Sequence, residues 1–484
     1  MELCRRSAEY AGTVNAAAVV ARMGSHPTAL SSDSRRIGKN CAFLAYPGDV
    51  FDGRGFIPDA LSAGAVGIFW EAENFVWLSD WSVPNVAVPR LHLHVGDIAD
   101  TVYHSPSEKL FTAAVTGTNG KTTVTHFAAQ LCGVDKSAVI GTLGAGFLGR
   151  MQATDNTTPD AASIHALLSD FSAAGAKSAF IEASSHGIAQ KRLAGISLNC
   201  AAFCNAGCDH TDYHGDLPSY WRAKAALLQT PDLQTAVLNA DDDYCATLRD
   251  LSSAPDVLSY GFAGKELRFL SCAKDNDAWR VKVDGLCGAR EFCFSFIGRH
   301  NVENFAAAAL IAHVAGVNWD DIEAAAADLI LPVGRLQRIN PQKRPAVYVD
   351  FAHTPDALSA ALESLSGTRR LLVFGCGGER DTDKRVEMGK LAASMADIAF
   401  VTDDNPRGED PAVIRAAIAD ADEKLRLSPG RADAIAVALS EANDDDVILI
   451  AGKGHEDYQE INGQRVPFSD EKTALACLAK RAGR

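Results

Sequence analysis

The chain has no run of about eighteen uninterrupted apolar residues, the length that a bilayer span demands. Its nearest stretch, alanine-rich over 306–317, is interrupted by His313, so no membrane insertion is expected. Positive charge is in deficit as well: 46 Lys and Arg face 61 Asp and Glu, a formal net charge of −15. That balance argues against a nucleic-acid coat and against adhesion to an anionic membrane surface, and it means that any anionic ligand must meet a local basic pocket. Low-complexity tracts and repeats of solenoid length are missing, which excludes repeat architectures. Arg5 and Arg6 are followed by Glu9 and Asn15 instead of an apolar signal core, so a cytoplasmic location is expected. Cys200, Cys204 and Cys208 form a CxxxCxxxC row ahead of His210, but no second cysteine pair completes a zinc set. Cys200 and Cys204 fall in the apolar run NCAAFC, which reads as a buried strand, and the twelve cysteines, scattered through apolar segments, read as reduced thiols.

What is present is enough material for several domains: 484 residues, 47% hydrophobic and 22% charged, about three times the usual domain length. Short apolar runs recur at 111–117, 137–143, 178–184, 200–206 and 235–240, several of them separated by alanine-rich helical segments. This is the rhythm of a parallel α/β sheet. The same rhythm returns at 369–375, 398–402 and 446–452, where each strand passes into a polar loop: GCGGERDTDKR, DDNPRGED and GKGHEDYQ. Ligands of open α/β sheets bind beyond the carboxyl ends of the strands, so these loops form one candidate site. The expected class is α/β with three domains, divided as 1–88, 89–332 and 333–484.

The sharpest local signal is AVTGTNGKTTVTHFAAQL from Ala114, an apolar strand running into Gly117, Thr118, Asn119, Gly120, Lys121, Thr122 and Thr123 and then a helix. Glycines let backbone N–H groups approach phosphate oxygens, the helix directs its positive end at them, Lys121 reaches the terminal phosphates and a Thr hydroxyl can ligate Mg²⁺. The general phosphate-loop pattern is incomplete, because Val115 stands where its first Gly belongs. A second pattern, GAGFLG over 144–149, satisfies GxGxxG, but no amphipathic helix follows it and Pro159 arrives soon after. A structural or substrate loop is expected there, not a dinucleotide site.

Downstream, Glu182 ends the strand run SAFIEAS, where a parallel sheet would deliver an oxygen ligand for nucleotide-bound Mg²⁺; the bland alternative is a helix-capping carboxylate. The next strand runs into GCDHTDYHG, which packs Asp209, His210, Asp212 and His214 into one short loop.

In order along nearly the whole chain, TGTNGKTT, EASSHGIAQKR, DHTDYHG, GRHNVENFAAAAL, GRLQRI and VDFAHTPDAL resemble the motifs of the Mur ligase family, ATP-dependent enzymes that extend the peptide of the bacterial cell-wall precursor. The resemblance implies an N-terminal α/β domain for a uridine nucleotide, a central phosphate-loop ATPase domain with a parallel sheet, and a C-terminal Rossmann-like domain for an amino acid. It implies further that Asn301, Arg335 and Asp350 hold the adenosine side of ATP. Ser34, the DGR turn at Asp52, Asn156, Thr157, Thr158, Ser184, Gln190 and Arg192 would face the UDP-N-acetylmuramoyl dipeptide. Lys121, Glu182, His210 and Lys224 would be catalytic, with Mg²⁺ at Thr122, Glu182, His210 and Lys224. In the family a lysine in the position of Lys224 is carbamylated, a change that turns a cation into an anion able to face Mg²⁺; from the residues alone Lys224 reads as an ordinary solvated lysine.

The loop Asp404, Asn405, Pro406 and Arg407 resembles the DNPR signature of the family members that add meso-diaminopimelate. Diaminopimelate is lysine with a distal carboxylate, which a guanidinium can grip through two parallel hydrogen bonds. Arg385, Gly452 and Glu456 match other positions that hold this amino acid, Glu456 meeting an ammonium group. Without the other motifs, DNPR would be a proline turn with a surface arginine. The expected partners are therefore ATP, UDP-N-acetylmuramoyl-L-alanyl-D-glutamate and meso-diaminopimelate, acted on by a monomer. A lysine-adding or other member of the family, a folylpolyglutamate-synthetase-like ligase and a phosphate-loop regulatory nucleotide-binding switch are the competing readings.

Overall fold

The computed structural model describes residues 14–482 apart from 49–50, 276–277 and 342; Arg5, Arg6 and Glu9 lie outside the described residues. The chain passes between two compact units inside the strand Phe111–Thr116: Met1–Ala114, Asp135–Asn199 and Thr230–Leu233 form the first, and Val115–Val134, Cys200–Gln229 and Gln234–Arg484 the second.

In the first unit the strands Ala29–Ser31, Cys41–Ala45, Gly67–Glu71 and Asn85–Val88 pair in that order, all parallel. The two middle strands are buried along their whole length, which is why CAFLA and GIFWE carry little polar alternation. One face packs Val19, Leu44, Phe69, Val95 and Ile98. The other packs Phe43, Ile57, Ile68 and Trp70. Farther along, Ser137–Gly141 pairs in parallel with Ser178–Glu182. Gly144–Phe147 and Arg150–Gln152 fold back antiparallel, so GAGFLG is a hairpin with no helix to cradle a pyrophosphate.

In the second unit Cys200–Phe203, Thr235–Asn239 and Asp256–Gly261 are parallel, and Leu267–Asp275, Ala278–Gly285 and Arg290–Phe294 extend the sheet as a meander that sequence reasoning missed. The alanine-rich stretch is the buried helix Arg299–Val314, with Ala306 to Ala309 wholly inaccessible. A helix apolar all round belongs inside a domain, and this one packs on the helix Lys121–Leu131.

A six-stranded sheet follows, ordered Gln337–Arg338, Ala346–Asp350, Val447–Ala451, Arg370–Phe374, Ile398–Val401, Arg426–Leu427, with every pair parallel except the first. Apolar clusters around Leu358, Leu372 and Met388 and around Val349, Ile435 and Ile450 cover its two faces. Register sets what shares its carboxyl edge: Asp350 is level with Ala451 and Phe374 with Val401. The loops carrying Asp350, Gly375, Asp404 and Gly452 therefore leave the sheet side by side. Among the described residues, no helix is long and apolar enough to cross a membrane.

Candidate functional site

The phosphate loop of the second unit turns through Gly117 and Gly120, at φ +149 and +88, before the helix begins at Lys121. Gly120 is required twice over: its φ is left-handed, and a Cβ there would lie 2.3 Å from Asn304 Oδ1. Asn205 braces the loop, its carbonyl accepting from the Thr118 N–H at 3.1 Å and its side-chain oxygen from the Asn119 N–H at 2.9 Å. Lys121 Nζ curls onto the Gly117 and Thr118 carbonyls at 2.7 and 3.0 Å. Thr123 is buried in the first turn. Thr122 Oγ1 accepts from Arg335 at 3.2 Å, and the Arg335 guanidinium rests over the Phe351 ring at 4.5 Å.

Lys224, which from its residue type alone reads as solvated, is 1% exposed. Its Nζ donates to the Gly117 carbonyl at 2.8 Å and lies 4.5 Å from the Tyr220 ring centre. Burial, and then the neighbouring charge of Lys121, holds its pKa well below the usual lysine value. Lys121 and Arg335 supply the local positive charge within an acidic chain that the charge balance requires of an anion site.

Asp209 is the hub of the acidic and histidine cluster. His210 Nε2, His353 Nε2 and Lys384 Nζ stand 3.4, 3.6 and 3.7 Å from its carboxylate. Burial alone would raise its pKa; His353 above all, with His210 and Lys384, outweighs burial and holds it well below the carboxylate range. His210 itself sits at φ +53, an uncommon conformation for a non-glycine residue. Asn301 is buried, donating to the Ile297 carbonyl at 2.9 Å and accepting from Asn304 at 3.1 Å. Both Asp350 oxygens accept backbone N–H groups, of Leu336 at 2.5 Å and Ala352 at 2.7 Å.

At the carboxyl edge of the six-stranded sheet, Arg407 adopts φ +52 and donates from Nη1 to the Gly378 carbonyl at 2.6 Å, with Nε 3.4 Å from Glu460. It is not a surface arginine, its side chain being only 20% exposed. Asn405 Nδ2 donates to Glu456 at 2.9 Å, and the Asn405 N–H to Asp404 Oδ1 at 2.6 Å. The Pro406 carbonyl accepts from the Glu409 N–H at 3.0 Å. Gly452 leaves room for Asp404, whose Oδ2 would lie 2.6 Å from a Cβ there. Arg385 is buried, pairs with both oxygens of Glu409 at 2.9 and 3.0 Å, and keeps an Nε with no partner. Two features escaped the sequence reading. The hairpin Tyr458–Ile461 and Gln464–Pro467 supports the DNPR loop, with Arg407 bridged to Ile461, and Lys453 is wholly buried beside Asn405. The hairpin's signal was available as the Asn462–Gly463 turn.

In the first unit, the backbone N–H and hydroxyl of Thr142 donate to the two Glu182 oxygens at 2.9 and 3.1 Å. A Cβ on Gly141 would lie 2.1 Å from Glu182 Oε1. Glu182 is not a helix cap; Ser184 caps the helix that follows. Thr158 donates to the Glu182 carbonyl at 2.6 Å and to Ser184 at 3.0 Å. Arg192 reaches the Thr158 carbonyl and Gln190 at 2.6 Å each, and Thr157 meets Thr142 at 3.1 Å. These residues form one polar cluster. Ser34 lies in the short turn Ser34–Arg36, capped by Asp33; Asp155, next to Asn156, pairs with Arg36 at 2.5 Å.

Among the described residues no group of three or more His, Cys, Asp or Glu could hold a metal ion. Cys200 and Cys204 are buried thiols pushed up to about 12 by burial, which leaves them protonated and unsuited to zinc.

Three family domains match the chain: the Mur ligase family catalytic domain over 26–103, the Mur ligase middle domain over 115–312, and the Mur ligase glutamate ligase domain over 334–454. The chain is 39% identical to the UDP-N-acetylmuramoyl-L-alanyl-D-glutamate–2,6-diaminopimelate ligase of Chromobacterium violaceum, covering 95% of this chain and 96% of that one. It is 40% identical to the ligase of the same description from Pseudomonas aeruginosa, over 93% and 94%. A solved structure of such a ligase superposes with a TM-score of 0.66 at 32% identity, covering 94% and 95% of the two chains. The MurF ligase of Thermotoga maritima in complex with ADP, 18% identical with a TM-score of 0.63 over 95% and 99%, shares the fold.

Proposed function

The chain belongs to the Mur ligase family, and on that premise we propose that it is an ATP-dependent amide ligase that joins meso-diaminopimelate to UDP-N-acetylmuramoyl-L-alanyl-D-glutamate in peptidoglycan precursor synthesis. The observation that carries the choice of amino acid is the DNPR loop, where Arg407 is held beside an Asn405 that is bonded to the carboxylate of Glu456. A guanidinium and a carboxylate so placed suit the carboxylate and ammonium of a zwitterionic end. L-lysine offers no distal carboxylate, so the guanidinium would stay unpaired by substrate, a discrimination worth up to ~10⁴.

In this reading the γ-carboxylate of the D-glutamate attacks the γ-phosphorus of ATP, the bond to ADP breaks, and an acyl phosphate results. The diaminopimelate amine then adds to the acyl carbon; the tetrahedral intermediate expels phosphate, and the amine loses a proton as the amide forms. Lys121 and Arg335 offset the charge on the transferring phosphoryl group, and positioning supplies most of the acceleration. Gly117 to Thr123 cradle the phosphates, Asn301 and Asp350 serve the adenosine side, and His210 faces the reacting phosphoryl group. Mg²⁺ would be held by Thr122, Glu182, His210 and the Lys224 carbamate, where it would neutralise phosphate charge. The oxygens of Thr122, Glu182 and a carbamate suit so hard a cation, the nucleotide phosphates contributing further oxygens.

Arg385, Asp404, Asn405, Pro406, Arg407, Gly452 and Glu456 take the diaminopimelate in the same proposal. Ser34, Asn156, Thr157, Thr158, Ser184, Gln190 and Arg192 take the UDP-linked dipeptide, and the domains divide near 88 and 332. The reading calls for no nucleic acid and no second copy of the chain. Phosphate release in an Mg²⁺-containing assay tests it: release should require the UDP-linked dipeptide together with meso-diaminopimelate. Equal turnover with L-lysine would reject the specificity, and ATP hydrolysis with neither substrate present would favour a regulatory switch.

A further inference from the structure

Lys453 is 0% exposed in the loop that follows the strand Val447–Ala451. An ammonium is retained in such a place when acceptors surround it, and Lys453 has two: Asn405 Oδ1 at 2.9 Å and Glu456 Oε2 at 2.7 Å. The Tyr458 ring centre lies 5.7 Å away. Asn405 Oδ1 accepts a second bond, from the Glu460 N–H at 3.0 Å. With two donors aimed at its oxygen, the Asn405 carboxamide has a single workable orientation, because a flip would turn its NH₂ against an ammonium and a backbone N–H. Its Nδ2 must then face Glu456, and it does, at 2.9 Å. Glu456 Oε2 therefore receives two donors from within the protein, and Oε1 is the oxygen left to meet an incoming cation.

We propose that Lys453 is a positioning residue for the amino-acid substrate: it fixes the Asn405 carboxamide and the Glu456 carboxylate so that one carboxylate oxygen is presented at a set place to a substrate ammonium. The inference rests on the proposal that this loop takes diaminopimelate. Lys453 touches no substrate in this arrangement and acts through the two side chains it holds. Its loss would free Glu456 to rotate and Asn405 to flip, which weakens a charge-assisted contact to the substrate while leaving the phosphate loop as it is.

Steady-state kinetics on the full chain test this with Lys453→Met, which keeps the chain length but no donor, and Lys453→Gln, which keeps donors without charge and is the milder change should the first variant fold poorly. The KM for meso-diaminopimelate should rise roughly tenfold or more in Lys453→Met and less in Lys453→Gln, with the KM for ATP within about twofold of the parent. A folded Lys453→Gln or Lys453→Met enzyme with an unaltered KM for diaminopimelate overturns the inference. So does a matched rise in both KM values, the mark of a purely structural lysine. A parent enzyme that cannot use meso-diaminopimelate overturns the proposed reaction and this inference together, and the two failures are told apart by which protein shows them.

Discussion

Lys121 and Lys224 donate to the same acceptor, the carbonyl oxygen of Gly117, at 2.7 and 2.8 Å. Two ammonium groups on one oxygen in a buried place repel each other, so one must give way. Lys224 does, because its burial is complete and Lys121 adds to the penalty on its charge. A neutral lysine amine is the form that attacks carbon dioxide: the new N–C bond forms, a proton leaves, and the product is an anion where a cation would be costly. Protein equilibrated with isotopically labelled bicarbonate should therefore show one carbamate carbonyl resonance that Lys224→Met lacks, and that variant should lose about 10²-fold or more in kcat. Persistence of the resonance in the variant would assign the modification to another amine.

Glu182 makes a second prediction through its neighbour. Gly141 leaves the space into which Glu182 Oε1 is turned, and an added Cβ would stand 2.1 Å from that oxygen. Gly141→Ala should displace the carboxylate without removing it, raising the half-saturating Mg²⁺ concentration by about tenfold. Gly38→Ala, where nothing lies within 4 Å of the added atom, is the control. Equal Mg²⁺ dependence in the two variants would show that Glu182 does not serve the metal.

Arg407 separates backbone from side chain in one substitution. It holds φ +52, a conformation costing an L-residue about 1 kcal/mol that glycine does not incur. Arg407→Gly should thus keep its thermal midpoint within a few degrees of the parent while its preference for meso-diaminopimelate over L-lysine falls by ~10² or more. A collapse of stability together with ATP affinity would make the arginine structural.

These expectations divide by what a linear chain can reveal. The strands at 111–117, 178–184 and 446–452 were legible because a strand buried on both faces is an unbroken apolar run, and the phosphate loop because each residue in TGTNGKTT has a mechanical task. The meander of Leu267–Asp275, Ala278–Gly285 and Arg290–Phe294 was not read, although Gly285 and Gly288 punctuate it: Ala278–Gly285 mixes buried with half-exposed and exposed positions, so no unbroken apolar run marks it. Lys224 read as a solvated charge and Lys453 went unremarked, because the partners that bury them, Gly117 and Asn405, lie 107 and 48 positions away. Asp209 is a similar case. Its role as hub comes from His353 and Lys384, which tertiary folding alone brings to it.

Three histidines of the second unit, His126 buried and His300 and His455 partly buried, make the stability of the protein sensitive to mild acid. Burial pushes His126, His300 and His455 down to about 4, the charge of Arg335 adding to the effect at His126 and His455. In the unfolded chain each takes up a proton near pH 6.5, so the unfolded state binds more protons than the folded one between about 6.5 and 4. Stability is then fully present above the unfolded value and is lost as pH falls toward the folded one, each histidine contributing a slope of about 1.4 kcal/mol per pH unit. Three together approach about 4 kcal/mol per pH unit, which over roughly two units equals the whole stability of an ordinary domain. Urea midpoints at pH values from about 7 to 5 should therefore fall steeply, and His300→Gln, which removes one of the three protons taken up on unfolding, should flatten the decline by about one third; an unchanged slope would mean that His300 is protonated in the folded protein.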